Sequence, residues 1–198
     1  TGWYTLSLHD ALPISPDITD VEYGDFIRGH NSFGLELFAR TCEADANCVF
    51  SPTSAYLALS MVYAGASGAA AEELGTTLRS GQSAATHHAG SNRLMMDLQS
   101  RNHGSPADGA DGRGVELHLA DSLWVDHSLQ VEQDFLATLS SQYDVGVHRQ
   151  ALLEDPKQGA QDINDWVSGA TDGRITDLMG NRLDPDVAFV LVNALAFE

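Results

Sequence analysis

Ser51 is the first residue to consider for chemistry, because a serine paired with a histidine and an aspartate is the nucleophile of many hydrolases. The run of residues 51–54, Ser-Pro-Thr-Ser before an apolar stretch, lacks the glycine-flanked elbow that exposes such a nucleophile. Serine followed by proline is instead typical of a helix start, with serine as the N-cap and proline at the first position. We therefore expect Ser51 to be a cap and the protein not to be an enzyme. A small α+β hydrolase is the alternative, and it requires that replacing Ser51 abolishes some ester or peptide hydrolysis.

Histidines and cysteines are the next candidates, as metal ligands. The pair His87-His88 and His118 have no acidic or cysteine partner at ligand spacing, so the sequence predicts a solvated loop for the pair and a strand surface for His118. Cys42 and Cys48 are six positions apart, which fits either a local disulfide or two reduced thiols. No EF-hand spacing occurs among the acids. We expect no metal site and no cofactor.

The charge balance excludes several classes of partner. The chain has 28 acidic and 10 basic residues, for a formal net charge of -18, and Lys157 is its one lysine. Phosphates and anionic lipid surfaces would be repelled, so we expect no nucleic acid and no membrane partner. Trp124 and Trp166 are interpreted as core or rim packing rather than as a ligand platform.

Two strand patterns dominate the apolar periodicity. Residues 115–125 alternate apolar and polar side chains, with Asp121 out of place on the apolar side. Residues 187–196 contain one polar side chain, Asn193, which is typical of a strand buried on both faces or of a buried helix; the turn at 184–186 favours the strand. Shorter strands are predicted at 48–50 and 145–147.

Helical spacing accounts for much of the rest. The predicted helices cover residues 25–41, 52–63, 69–78, 94–98, 131–143 and 155–169, and the predicted loops cover 80–88 and 102–114. About six helices and four or five strands, segregated rather than alternating, predict an α+β fold. A strand buried on both faces needs a neighbour on each side and covering layers. We expect 115–125 to be one neighbour and the 155–169 helix to be one layer.

The first 15 residues do not match the pattern of the remainder. They resemble one reading frame of a common sequencing adapter, so we take 1–15 as a non-native segment and 16–198 as part of a single domain. An ordinary disordered terminus is the alternative.

Four motifs, in order, resemble the serpin family. They are NCVFSPTS at 47–54 with an apolar helix and GASG at 65–68, LADSLWV at 119–125, INDWV at 163–167 followed by GRI at 173–175, and VLVNALAF at 190–197. The resemblance covers about residues 25–198. It implies helices packed on a large, mostly antiparallel sheet, of which 190–197 would be the central strand. Asp121 departs from the family, which usually has asparagine at that position.

The resemblance implies a suicide inhibitor of serine proteases, and in some members of cysteine proteases. A protease attacks an exposed reactive loop and forms an acyl-enzyme, and the cut loop then inserts as a new strand into the main sheet. It also implies a monomer when complete and favours an extracellular location, although the compartment stays open from the residues themselves. A non-inhibitory binding or structural protein of the same architecture is the alternative. Small residues in the hinge of the reactive loop would distinguish an inhibitor.

By analogy with the family, Ser51, Ser54, Asn164 and Asn193 belong to a polar cluster, called the shutter, where the central strands part. Buried polar groups with several possible partners can change partners when strands slide. For Asn193, a satisfied core amide without a switching role is the alternative. A serpin is roughly twice this length, so we expect the reactive loop and the second half of the sheet to lie outside this chain. The sequence then predicts an unpaired apolar edge on the last strand, a hazard for aggregation.

Overall fold

The computed structural model describes residues 5–6, 15–43, 45–101 and 117–197. In chain order its elements are β1 (Thr5–Leu6), α1 (Asp20–Thr41), α2 (Pro52–Ala64), α3 (Gly68–Thr77), α4 (Ala84–Ser100), β2 (Leu117–Asp126), α5 (Gln133–Tyr143), β3 (Gly146–Gln150), α6 (Pro156–Ala170) and β4 (Phe189–Phe197). Four helices in succession come before the first of the three longer strands, as expected for an α+β fold, but from β2 to β4 strands and helices alternate, so the predicted segregation holds only for the first part of the chain. The predicted loop at 102–114 and the first two positions of the predicted 115–125 strand lie outside the described residues.

The sheet is mixed, and its strands lie in the order β1-β3-β2-β4. β2 and β4 run antiparallel in register from Leu117 opposite Phe197 to Val125 opposite Phe189, whereas β2 and β3 are parallel. β4 is the apolar run identified in the sequence, and β2 is its expected neighbour. Among the described strands, none pairs with the other edge of β4, so that edge is open.

The N-terminal segment contributes to the other edge of the sheet. Thr5 and Leu6 pair antiparallel with His148 and Val147 of β3. The proposal that residues 1–15 are non-native stays a prediction. If it is correct, the natural neighbour of this edge of β3 is a different segment or solvent.

Helices cover both faces of the sheet. Because strand side chains alternate between faces, β2 contributes Leu123 and Val125 to one core and Trp124 to the other. The first core joins α2, α4 and α5 to the sheet through Leu57, Met61, Met95, Leu136, Leu139 and Tyr143. The second joins α6 to the sheet through Ala160, Ile163 and Val167, with Leu152 of the preceding turn. The prediction that the 155–169 helix is a covering layer is confirmed.

Helix α1 begins five residues earlier than predicted. Thr19 is its N-cap: the hydroxyl accepts from the Glu22 amide, and the Glu22 carboxylate accepts from the Thr19 amide. This reciprocal capping box fixes the start of the helix. Ser32 lies inside the helix, where its hydroxyl donates to the Arg28 carbonyl.

The predicted loop at 80–88 is correct only for residues 80–83, and the short helix predicted at 94–98 is the C-terminal part of a longer one. A single helix, α4, runs from Ala84 to Ser100, capped by the Ser83 hydroxyl, which accepts from the Thr86 amide. His87 and His88 are buried in it rather than solvated. The inward face of the first two turns of α4 is polar, so the apolar periodicity of the sequence does not reveal the helix in this region.

Cys42 and Cys48 form a disulfide, which settles the alternative left open by the sequence. The predicted strand at 48–50 is wrong, because these residues have no strand pairing. Val49 is 99% exposed, and Phe50 stacks on Phe38, whose ring is itself exposed. The disulfide therefore holds an apolar segment at the surface.

Two glycines of α1 make a matched test of its docking. An added Cβ at Gly29 would lie 2.7 Å from the Arg79 carbonyl oxygen, whereas at Gly24 the nearest atom is the Arg28 guanidinium at 3.6 Å. We expect Gly29→Ala to lower the free energy of unfolding by about 1–3 kcal/mol because backbone must move. Gly24→Ala is expected to raise it by about 0.5–1 kcal/mol through helix propensity. Chemical denaturation of both variants checks this, and equal stabilisation would contradict the close approach of α1 to Arg79.

Candidate functional site

Ser51 and Ser54 lie at the start of α2, and the hydrogen bond between them caps the helix. The Ser51 hydroxyl accepts from the Ser54 amide at 3.1 Å, and Pro52 occupies the first helical position. Within the described residues, no hydrogen bond joins Ser51 to a histidine or to an acid. The geometry is that of an N-cap and does not assemble a nucleophile–base pair.

Asn164 lies on α6 and holds the turn that follows that helix. Its Oδ1 accepts from the amides of Leu178 and Met179 at 2.9 and 2.8 Å, and its Nδ2 donates to the Gly180 carbonyl at 2.8 Å. One side chain thereby satisfies three backbone groups of an irregular segment. This arrangement explains the asparagine structurally, without a switching role.

Asn193 lies at the middle of β4, directly opposite Asp121 of β2. Its Nδ2 donates to Asp121 Oδ1 at 2.8 Å. Burial raises the pKa of Asp121 to about 7; the hydrogen bond from Asn193 opposes this shift, and the nearby Asp144 carboxylate adds to it. The residue that departs from the family pattern is therefore a buried acid in the centre of the sheet.

The four predicted site residues do not share one network of described hydrogen bonds. Ser51 and Ser54 pair with each other, Asn193 pairs with Asp121, and Asn164 pairs with the turn after α6. Because side chains alternate along β4, Asn193 lies on the face that packs against α2, opposite to the face that α6 covers through Val192 and Ala194. The shutter role of these four residues stays a prediction.

A buried polar layer between the sheet and α2, α4 and α5 was not predicted. His87 Nε2 lies 2.9 Å from the Ser60 hydroxyl, and His88 Nδ1 lies 2.7 Å from the Tyr143 hydroxyl. Ser60 also donates to the Tyr56 carbonyl. These contacts give buried polar groups the partners that they need.

The two histidines of this layer are neutral. Burial lowers the pKa of His87 to about 3, helped by the neighbouring His88, and burial lowers the pKa of His88 to about 4. One sequence signal could have found them. Inward positions 87/88, 91, 94/95 and 98 follow the helical period of three to four, provided that polar residues are counted as inward.

Neither a metal-binding cluster nor a membrane-spanning helix occurs among the described residues. No group of three or more His, Cys, Asp or Glu side chains in that part of the chain is arranged to hold a metal ion. None of the described helices combines the length and the apolarity needed to cross a membrane.

An apolar groove of about 680 Å³ opens between α1 and the disulfide segment. Its lining includes Leu35, Phe38, Val49, Phe50 and Pro52. Leu35 and Val49 are largely exposed. With the open edge of β4, this groove is a second surface that the described chain leaves uncovered.

Comparison with known proteins identifies the architecture. The profile of the family described as "Serpin (serine protease inhibitor)" matches residues 28–198. The chain belongs to the serpin family. It is 31% identical over 180 residues to the serpin Serpin-ZXA of Oryza sativa subsp. japonica, covering 87% of this chain and 44% of that protein. It is 30% identical over 169 residues to an uncharacterised serpin-like protein of Thermococcus kodakarensis, covering 85% of this chain and 37% of that protein.

Solved serpin structures agree with this assignment. The native state of tengpin, a thermophilic serpin, superposes with a TM-score of 0.77 at 26% identity and covers 96% of this chain and 46% of that chain. A serpin from a loop C-sheet polymer gives 0.78 at 26% identity, covering 95% and 46%. The present chain thus spans less than half the length of these serpins. Its helices and partial mixed sheet correspond to the N-terminal half of the fold.

Proposed function

We propose that this chain is the N-terminal half of a serine protease inhibitor that acts by suicide loop insertion, with the reactive loop supplied by sequence outside the chain. The observation that carries the proposal is the match of the serpin family model to residues 28–198. β4 is paired with β2 from Phe189 to Phe197, and none of the described strands pairs with its other edge. We expect the cut loop to insert at that other edge, between β4 and a strand supplied by sequence outside the chain.

The chemistry of inhibition follows from that edge. The catalytic serine of the target protease attacks the scissile carbonyl of the loop, the peptide C–N bond breaks and releases a new amino terminus, and the upstream part of the loop stays joined to the protease as an ester. This part of the loop inserts beside β4 before water hydrolyses the ester. Each inserted residue gains main-chain hydrogen bonds and buries side chains between the two helical layers. The free energy released displaces the bound protease and distorts its active site. The inhibitor contributes a metastable sheet and no catalytic group.

Charge and covalent structure support the kind of partner and its location. A net charge of -18 disfavours nucleic acid and anionic membranes. Proteases are the expected partners because the chain belongs to the serpin family. The Cys42–Cys48 disulfide favours an oxidising compartment, in line with secretion. We propose a serine protease, or a cysteine protease, as the target and a monomer as the complete inhibitor.

The experiment compares this chain with a product extended past Glu198 by the rest of its gene. Each is incubated with a panel of serine and cysteine proteases and examined on denaturing gels. We expect an SDS-stable covalent complex with the extended product and none with the 198-residue chain. Cleavage of the extended product without a complex would assign it to the non-inhibitory serpins, and a complex with the 198-residue chain would refute the need for a separate loop.

A further inference from the structure

Asp121 is a buried carboxyl group for which the inhibitory mechanism has no use. It lies at the middle of the β2–β4 ladder, opposite Asn193, and is 8% exposed. Its neighbours at positions 119 and 123 are both leucines. An isolated carboxylate in such surroundings is strongly disfavoured, because little solvent compensates its charge.

The partner side chain has an unsatisfied acceptor. Asn193 Nδ2 donates to Asp121 Oδ1 at 2.8 Å, but Asn193 Oδ1 is buried and has no hydrogen-bond partner within the described part of the chain. A carboxylate cannot donate to this atom, whereas a carboxylic acid can. A carboxylic acid and a carboxamide are complementary, since each presents one donor and one acceptor side by side on the edge that faces the other.

We propose that Asp121 is a protonated carboxylic acid in the folded chain at mildly acidic to neutral pH and forms with Asn193 a two-hydrogen-bond clasp between β2 and β4. One bond runs from Asn193 Nδ2 to Asp121, and the other runs from the Asp121 hydroxyl to Asn193 Oδ1. When the proton leaves to solvent, the second bond is lost and a charge remains between the strands. The centre of the sheet is therefore tied more firmly at lower pH.

The groups around Asp121 do not neutralise an ionised form. At the C-terminal end of α5, the capping residue Asp144 adds a negative charge, and Tyr143 stays neutral because burial raises its pKa. From α4, His87 and His88 stay neutral because burial lowers their pKa values. The group of β4 that contacts Asp121 is the uncharged side-chain amide of Asn193. Burial and Asp144 raise the pKa of Asp121 to about 7, in agreement with the geometry.

The clasp bears on inhibition because β4 is the strand that would receive the inserted loop. This consequence rests on the proposed function, whereas the clasp itself does not. In an inhibitor, the clasp makes β2 and β4 move as one unit, and ionisation of Asp121 loosens that unit.

The test compares the pH dependence of unfolding in the parent chain, Asp121→Asn and Asp121→Leu. Asparagine keeps two hydrogen bonds to Asn193 without a titrating group, and leucine keeps neither. The pKa of Asp121 is higher in the folded chain than in the unfolded chain, so stability falls as pH rises between the two values. Relative to Asp121→Asn, the unfolding constant of the parent should rise about tenfold per pH unit between pH 5 and 7 and then level off.

Two further results separate the outcomes. Asp121→Asn should be more stable than Asp121→Leu at every pH, because only asparagine satisfies Asn193. Infrared spectra of the parent chain, with isotope-labelled aspartate, should show a buried protonated carboxyl at pH 6 that disappears with a midpoint near pH 7. That spectrum needs no variant to fold. The clasp would be overturned if the stability of the parent and of Asp121→Asn changed with pH in the same way, or if the infrared spectrum showed every aspartate ionised at pH 6. Both results are independent of whether a protease complex forms.

Discussion

The His87→Gln variant should gain about 3 kcal/mol of folding free energy relative to the parent chain when the pH is lowered from 7 to 4. His87 has a pKa of about 3 in the folded chain because it is buried, against an ordinary value of 6.5. Between those values the unfolded chain binds a proton that the folded chain does not. The stability contributed by the neutral histidine is therefore present above pH 6.5 and is lost as the pH falls. Glutamine does not titrate and can still pair with the Ser60 hydroxyl.

Urea denaturation of the parent chain and of His87→Gln at each pH measures this difference in stability. The titration of Asp121 does not affect the difference, because both chains contain Asp121. Ser91→Ala is the control, since Ser91 is buried on the same helix and does not titrate. Its stability difference from the parent should not change with pH. A His87→Gln difference that is equally constant would show that His87 is solvated in the folded chain.

Trp124→Ala should lower the free energy of unfolding by about 3–5 kcal/mol, the range for removing a large buried aromatic side chain. The Trp124 ring is fully buried, stacks on His148 at 4.3 Å and donates from Nε1 to the Ser122 hydroxyl at 2.9 Å. The cavity would lie between the sheet and α6, where neither strand nor helix can move in easily.

Trp166→Ala is the matched comparison, because Trp166 contacts the same His148 ring from α6 but is only half-buried. We expect Trp166→Ala to lower the free energy of unfolding by less than about half as much as Trp124→Ala does, because the Trp166 side chain buries less surface on folding. Chemical denaturation at one pH measures both. Equal losses would contradict the position of Trp124 at the centre of the α6 core.

The elements predicted well from the sequence are those whose signals are local. Ser51-Pro52 fixes the start of α2, Asp155-Pro156 fixes the start of α6, and the apolar run around Asn193 fixes β4. The motifs of the family then place β4 beside β2. These signals agree with the tertiary contacts, and local and global preferences therefore give the same answer.

The features that were missed depend on partners far away in sequence. His87 and His88 are buried because Ser60 and Tyr143 lie opposite them, 27 and 55 residues away. The sequence placed Asp121 on an apolar face, but its pairing with Asn193 and its burial follow from the register of two strands 72 residues apart. When the partner of an inward polar residue is unknown, the sequence pattern predicts a loop at that position or leaves the residue unexplained.

The shutter assignment shows a different limit. Family resemblance selects Ser51, Ser54, Asn164 and Asn193, yet in this chain their described hydrogen bonds fall into three separate sets. Asn193 is the member whose surroundings are unusual, because it pairs with an acid. A switching role for the four requires partners that the described residues do not supply.

Hydrogen exchange along β4 in the product extended past Glu198, before and after reaction with a protease, tests the central claim most directly. If a cut loop inserts beside β4, the amides of Phe189–Phe197 that do not point toward β2 change partner from a strand of the second half to the inserted loop, and their exchange should slow in the more stable sheet of the covalent complex. The amides already paired with β2 should change little. A covalent complex in which the exchange of β4 is unchanged would contradict the account, because the strand acceptor would then lie elsewhere.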